Sequence, residues 1–378
     1  MYKIIVLGAG MVGSAIAVDL AKNHQVTSAD LSKRSLEKIR LKNKNINTLQ
    51  LDVSDKEKLK KSLKPFDLVV CAVPGFLGFS TLRSIIEAKK DVVDISFFAE
   101  NALELNDLAK KNKVTAIVDC GVAPGMGNIL LGYHNEQLKI TNFECLVGGL
   151  PVVKKWPFNY KAPFSPIDVI EEYTRPARYI ENGKLITREA LSDVELVSFD
   201  KVGTLEAFNS DGLRSLIFTM PHIPNMKEKT LRYPGHVEYI QVLKQSGFFD
   251  RGEIEINGKR ISPIDLTNRI LFKEWFLKED EEEITVMRIT IKGIDQKGKK
   301  QKIVYDLYDR YHKETKTSSM ARTTGYTATA AVNLVLKGLF NEKGIFPPEL
   351  VGKHKVCYDF VLDYLAERDV IYKILSIE

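Results

Sequence analysis

The chain has 378 residues, 44% of them hydrophobic and 28% charged, with a formal net charge of +6. That length allows two or three domains around a large core. The lysines behind the charge are dispersed, without a basic stripe interleaved with aromatics, and no apolar run approaches the ~20 residues of a membrane span, so neither nucleic acid nor a bilayer is an expected partner. Cys71, Cys120, Cys145 and Cys357 lie far apart with no C-x-x-C pair, which suits reduced thiols and offers no zinc or other metal site. With the first strand beginning at residue 3 and no leader ahead of it, the expected compartment is the cytoplasm.

From residue 3 to about 125 strand and helix patterns alternate. Apolar runs at Lys3–Leu7, Gln25–Ala29, Thr48–Leu51, Asp67–Val73, Val92–Ile95 and Thr115–Val118 are separated by helix-period segments at Met11–Lys22, Asp55–Leu63, Phe79–Ala88 and Asn101–Asn112. Parallel neighbours need crossovers, so this alternation predicts an α/β fold with a Rossmann-type, doubly wound parallel sheet. The first strand runs into Gly8-Ala9-Gly10-Met11-Val12-Gly13, a G-x-G-x-x-G turn. Gly8 permits the tight turn, Gly10 lets backbone amides approach a pyrophosphate, and Gly13 lets the helix pack on the sheet. Asp30, about twenty positions beyond Gly10, is placed to accept from a ribose diol and to repel a 2′-phosphate, which favours NAD over NADP. The bland alternative is a glycine-rich turn with no nucleotide.

The strand ends supply further candidates, since ligands gather at the carboxyl edge of such sheets. Asp52 either meets the adenine or caps the helix at Asp55. Val73 and Pro74, in Val73-Pro74-Gly75, suit a loop beneath the nicotinamide ribose, or a simple turn. The segment Cys120–Asn128, with Gly121, Val122 and Pro124, leaves the sixth strand toward a helical run and crosses between domains at the expected mouth of the site; a hinge without ligand contact is the alternative.

After residue 140 strand-like alternation dominates (Phe143–Gly149, Glu195–Phe199, Glu253–Ile256, Ile284–Gly293, Lys302–His312), broken by helices near Ile167–Tyr173, His236–Ser246 and Pro263–Phe272. The expectation is a second, α+β domain with a mostly antiparallel sheet, its two long strands joined by a hairpin at Asp295–Lys300. Thr323–Leu339 then turns helical, which suggests a tail packing back on the first domain. The predicted organisation is a dinucleotide-binding domain of residues 1–125 with 318–378, and a substrate and oligomerisation domain of residues 126–317.

In that second domain His236 follows a turn and opens a helix, with polar groups on both sides. A histidine near its ordinary pKa of about 6.5 suits proton transfer, although single histidines are more often structural. Arg175, Arg214 and Arg232 stand near glycine, proline or aromatic residues, where a guanidinium fork could hold the carboxylate of a small amino-acid substrate.

Together these segments resemble the saccharopine dehydrogenase family over nearly the whole length. The resemblance rests on the glycine turn, on Gly121-Val122-Ala123-Pro124-Gly125-Met126 with Asn128, on Val147–Pro151, on Tyr173-Thr174-Arg175-Pro176-Ala177, on Leu205–Phe208, on Arg232-Tyr233-Pro234-Gly235-His236, and on Met320–Tyr326. It implies NAD as oxidant, hydride transfer, a homo-oligomer (dimer or higher) built through the second domain, and a return of Met320–Leu339 to the cofactor domain. Within the family it points to members that deaminate the side-chain amine of L-lysine, giving 2-aminoadipate 6-semialdehyde, ammonia and NADH. In that scheme Arg175 or Arg232 clamps the α-carboxylate and His236 takes a proton from the ε-ammonium. The alternatives are a saccharopine dehydrogenase or related amine dehydrogenase, which needs more cationic groups in its pocket, and a non-catalytic NAD-sensing module, which needs no substrate chamber.

Overall fold

The structure, a computed structural model, describes residues 1–377. Its first sheet has seven parallel strands in the order Gly344–Phe346, Thr115–Ile117, Asp91–Asp94, Leu68–Cys71, Lys3–Leu7, Gln25–Asp30, Asn47–Gln50. The central strand shows why the apolar runs are continuous rather than alternating. Ile4 and Val6 enter one core cluster, Ile5 and Leu7 the other, and all four are 0% exposed because helices cover both faces. The six expected strands are present, and the seventh, Gly344–Phe346, arrives from the tail and pairs with Thr115–Ile117.

The tail helix Ser319–Leu336 lies against the first helix, Met11–Leu20, with Gly325 close to Ile16. Its threonines bury their hydroxyls by bonding back to helix carbonyls, Thr323 to Ser319 at 3.0 Å and Thr327 to Thr323 at 2.8 Å. Asp19 of the first helix accepts from Thr329, Tyr364 and Arg368 at 2.7–3.0 Å, which locks the tail in place.

The second sheet has nine strands and is mostly antiparallel. Its main path runs Glu195–Phe199, Gly203–Asn209, Met226–Arg232, Lys139–Pro151, Glu283–Ile294, Lys300–Arg310, Tyr372–Ile377, with Ala177–Glu181 and Lys184–Arg188 branching from it. One pair, Met226–Arg232 with Lys139–Pro151, is parallel. Two expectations need correction. Ile254–Ile256 forms a separate hairpin with Lys259–Ile261 instead of joining the sheet. The last strand, Tyr372–Ile377, pairs with Lys300–Arg310, so the described part of the expected 318–378 segment divides between the two sheets. One apolar cluster runs from Val6 and Ile16 through Ala328 to Phe143 and Met287, making the core continuous across both layers. Among the described residues, no helix is long and apolar enough to cross a membrane.

Candidate active site

A cavity of about 460 Å³ opens where the carboxyl edge of the parallel sheet faces the second sheet. At one end lie Gly8, Gly10, Met11, Val12, Gly13 and Asp30, and along the strand edge Val73, Pro74, Gly121, Val122 and Pro124. The glycine turn is built as its spacing requires. Gly8 has φ +103° and a Cβ there would lie 2.3 Å from the Ala72 carbonyl; at Gly13 it would lie 2.1 Å from that of Gly8. At Gly10 a Cβ would meet nothing within 4 Å, so this residue leaves an open cradle on the cavity side. Gly10 is also the N-cap of helix Met11–Leu20 and supplies no side-chain cap, leaving the helix's first N–H groups for an anion. The Asp30 carboxylate is held in place by Ala9 N–H on one oxygen and Ser32 N–H on the other, both at 2.7 Å. An open cradle, free helix N–H groups and an oriented carboxylate at the strand end fit a dinucleotide.

The opposite wall comes from three pieces of the second domain. Helix Pro166–Thr174 and its C-cap Arg175 present Asp168, Glu171, Glu172 and Arg175, spaced i, i+3, i+4, i+7 and therefore on one face. Strand Met226–Arg232 presents Glu228, Thr230 and Arg232 by its two-residue alternation, and the loop Ser210–Gly212 lies beside them. Asp119 closes the chamber from the end of the sixth strand.

Most of these charges are already matched. Asp211 accepts from Arg178 through Nε and Nη2, both at 2.9 Å, and Glu172 accepts from Arg232 at 2.7 Å. Glu171 accepts from Arg175 at 3.4 Å and Arg251 at 3.3 Å, and Asp168 from the Gly75 N–H at 3.3 Å. Burial pushes Asp168 up to about 6, opposed by hydrogen bonds from Ser165 and Gly75 and by Arg175. Glu228 differs from the rest: its carboxylate accepts no hydrogen bond among the described residues, and burial, reinforced by Glu172, Asp211 and Asp119 against Arg214, pushes it up to about 8.

The three arginines have separate fates. Arg175 lines the cavity, lies 4.9 Å from the Phe97 ring centre, and keeps a buried Nη1 without a partner among the described residues. Arg232 also lines it, but its guanidinium is engaged by Tyr173, the Leu231 carbonyl, Glu172 and Tyr160. Arg214 stands behind the wall, bound to Asp119 at 2.8 Å and to the Phe98 carbonyl, and so is a structural partner of Asp119 rather than a substrate clamp.

His236 is a second correction. It is 1% exposed, outside the cavity lining, among the rings of Phe158, Tyr160, Tyr173 and Trp275. Nδ1–H donates to the Phe158 carbonyl and Nε2 accepts from Tyr173 O–H, both at 2.9 Å, while that phenol accepts from Arg232 Nε at 3.0 Å. Burial and the nearby Arg232 push His236 down to about 3, so it is neutral and acts as a hydrogen-bonded prop. Asp52 is a third: it lies outside the cavity lining and accepts from Ser54 N–H and Oγ at 2.9 and 2.7 Å, while Asp55 caps the next helix through Lys58 N–H.

The acid-bearing helix face and Glu228 were not anticipated. Both carry a readable pattern, one of helical spacing and one of strand alternation, although charged residues so arranged ordinarily mark a solvated face.

The family model described as the saccharopine dehydrogenase NADP binding domain matches residues 4–117, and that of the saccharopine dehydrogenase C-terminal domain matches residues 121–371. An alpha-aminoadipic semialdehyde synthase of Arabidopsis thaliana is 27% identical over 250 residues, 61% of this chain and 23% of that protein. The saccharopine dehydrogenase [NADP(+), L-glutamate-forming] of Saccharomyces cerevisiae is 26% identical over 297 residues, 74% of this chain and 65% of that protein. The chain spans less than half the length of the aminoadipic semialdehyde synthases it matches. In fold it is similar to apo saccharopine dehydrogenase (L-Glu forming) from Saccharomyces cerevisiae, with a TM-score of 0.79 at 20% identity over 100% of both chains. With a pyridine-nucleotide domain and its partner domain both matched, the chain belongs to the saccharopine dehydrogenase family of oxidoreductases.

Proposed function

We propose that this protein is a lysine 6-dehydrogenase-like enzyme that oxidatively deaminates the side-chain amine of L-lysine with NAD, giving 2-aminoadipate 6-semialdehyde and ammonia. The observation that carries the reading is the charge state of the chamber. The arginines in and behind its walls are spent on its carboxylates, except that Arg175, which meets Glu171 through Nη2, keeps Nη1 without a partner among the described residues. One α-carboxylate can be held there, and the surplus of acid favours an ammonium group at the other end of the ligand.

In this scheme the N–H groups at the start of helix Met11–Leu20 hold the pyrophosphate, and Asp30 accepts from the ribose diol while repelling a 2′-phosphate. When bound, the nicotinamide supplies a two-electron acceptor for hydride from the carbon bearing the amine. Arg175 orients the amino acid by its carboxylate, and the hydrogen-bonded chain Arg232–Tyr173–His236 stiffens the wall behind it.

The second reading is a saccharopine dehydrogenase, favoured by the activity for which the yeast relative is named. Saccharopine carries three carboxylates, which would have to compete with Glu172, Asp211 and Asp119 for arginines already bound. Incubation with lysine or saccharopine, each with NAD or NADP, and absorbance of the reduced dinucleotide, separates the two. The proposal expects a rise with lysine and NAD. Turnover of saccharopine alone would overturn it.

A further inference from the structure

We infer that Glu228 is the catalytic base that takes a proton from the substrate ammonium, an inference that rests on the amine-dehydrogenase reading above.

An ammonium carbon cannot release hydride readily, because the nitrogen has no lone pair to form the C=N bond. A base inside the chamber must therefore take one N–H proton before or as the hydride leaves. The chamber offers several carboxylates, and their partners sort them. Asp119 is held by Arg214, Asp211 by Arg178, Glu172 by Arg232, Glu171 by Arg175 and Arg251, and Asp168 by the Gly75 N–H. Glu228 lines the same cavity, is 8% exposed, and accepts no hydrogen bond among the described residues. The backbone makes room for it: a Cβ at Gly212 would fall 2.0 Å from Glu228 Oε1, so the loop opposite carries a glycine where the carboxylate needs the space.

The surroundings also tune it. Glu172 from the helix, Asp211 from the loop and Asp119 from the parallel sheet all disfavour a second negative charge, Arg214 opposes them, and burial dominates, which brings Glu228 to about 8. A base poised near the working pH combines a useful ionised fraction with a strong pull on the proton.

The Glu228 carboxylate takes one proton from R–CH2–NH3+, leaving R–CH2–NH2. Hydride leaves the carbon for the oxidised nicotinamide while the nitrogen lone pair closes the C=N bond, giving R–CH=NH2+. Glu228 releases the first proton to solvent, and water then adds to that carbon, its proton passing to the freed carboxylate to leave R–CH(OH)–NH2. Glu228 returns this proton to the nitrogen, the C–N bond breaks as the carbonyl forms and the hydroxyl proton passes to Glu228, and nitrogen leaves as ammonia.

The test is Glu228→Gln, an isosteric change, in the full chain. Turnover should fall about 10²–10⁴-fold, and the rise of kcat/KM with pH in the parent should vanish, while NAD affinity measured by fluorescence stays within about twofold, since Glu228 is on the substrate side. A second readout does not involve turnover. A carboxyl whose folded pKa is raised above an unfolded value of about 4.3 holds its proton more tightly when folded, so its stability contribution is lost as pH rises from there to about 8. The melting temperature of Glu228→Gln should therefore exceed the parent's at pH 9, with the gap closing near pH 4. Parent-like turnover with an unchanged pH profile, or melting curves that stay parallel across this range, would overturn the inference. If the parent oxidises no amine with either dinucleotide, the functional reading fails by itself, and the melting curves then decide whether Glu228 is the buried titrating acid.

Discussion

Asp119 and Arg214 meet at 2.8 Å, both buried, and both carry left-handed backbone, with φ of 54° and 46°. Non-glycine residues in that region are strained and persist where surrounding contacts hold them. Here the ion pair joins the end of the parallel sheet to the loop after strand Gly203–Asn209, and Arg214 also lies within 4.9 Å and 5.3 Å of the Phe97 and Phe98 ring centres. The pair thus fixes one corner of the chamber. Arg214→Ala leaves the Asp119 charge buried and unpaired, for which a loss of about 3–5 kcal/mol is expected. Urea unfolding measures it. A change below about 1 kcal/mol would mean that the pair does not hold this corner.

The proposal assigns the choice of dinucleotide to Asp30. Asp30→Ala removes an acceptor for the ribose diol, and NAD binding should weaken by about 1.5–3 kcal/mol, with discrimination against NADP relaxed. Titration calorimetry with both dinucleotides checks this. If the parent already prefers NADP, Asp30 does not play the assigned part, and Arg34 in the following helix becomes the candidate phosphate ligand.

Gly10 and Gly13 separate binding from folding. A methyl group at Gly10 enters open space facing the cavity, whereas at Gly13 it collides with the Gly8 carbonyl. Gly10→Ala should weaken NAD at nearly constant melting temperature, and Gly13→Ala should lower the melting temperature itself. Equal thermal effects from the two would count against a cradle at Gly10.

Arg175 should show itself in KM. Its loss removes a charge-assisted contact worth about 1.5–3 kcal/mol, so Arg175→Ala should raise KM for lysine about 10- to 150-fold, with a smaller change in kcat. A large fall in kcat at constant KM would place Arg175 at the reacting atoms instead.

His236 should matter for stability and not for proton transfer. His236→Ala removes a buried ring and leaves the Tyr173 hydroxyl without its acceptor, at a cost of about 2–5 kcal/mol. Because the folded pKa is depressed to about 3, below the unfolded value of about 6.5, the unfolded chain binds the extra proton, and stability drains away as pH falls through that window. Acid unfolding of the parent and the variant would show the difference, while the shape of the pH–rate profile should be common to both.

What could be read from the residues follows from how local each constraint is. Gly8, Gly10, Gly13, Asp30, Val73, Pro74 and Gly121–Pro124 sit in strand-to-helix turns whose geometry is set by their immediate neighbours, and all line the cavity. Arg175 was legible for a similar reason, from its immediate neighbours Tyr173 and Pro176; that it caps a helix is visible only in the structure. Glu228 was not, because Lys227, Glu228 and Lys229 look solvated, and the strand they form gains its place by pairing with distant Phe143–Val147. His236 misled in the opposite sense: its sequence neighbours are polar, but Tyr160, Tyr173 and Trp275, remote in the chain, enclose it. The last strand carried no local sign of its partner Lys300–Arg310 either, since that pairing is a tertiary choice.

A crystal structure of the NAD complex tests the central claim most directly. The pyrophosphate should lie against the N–H groups that follow Gly10, the adenosine ribose at Asp30, and the nicotinamide ring inside the chamber with Arg175 and Glu228 across from it. A dinucleotide bound away from the glycine turn, or a ring turned out to solvent with those two side chains beyond its reach, would contradict the account.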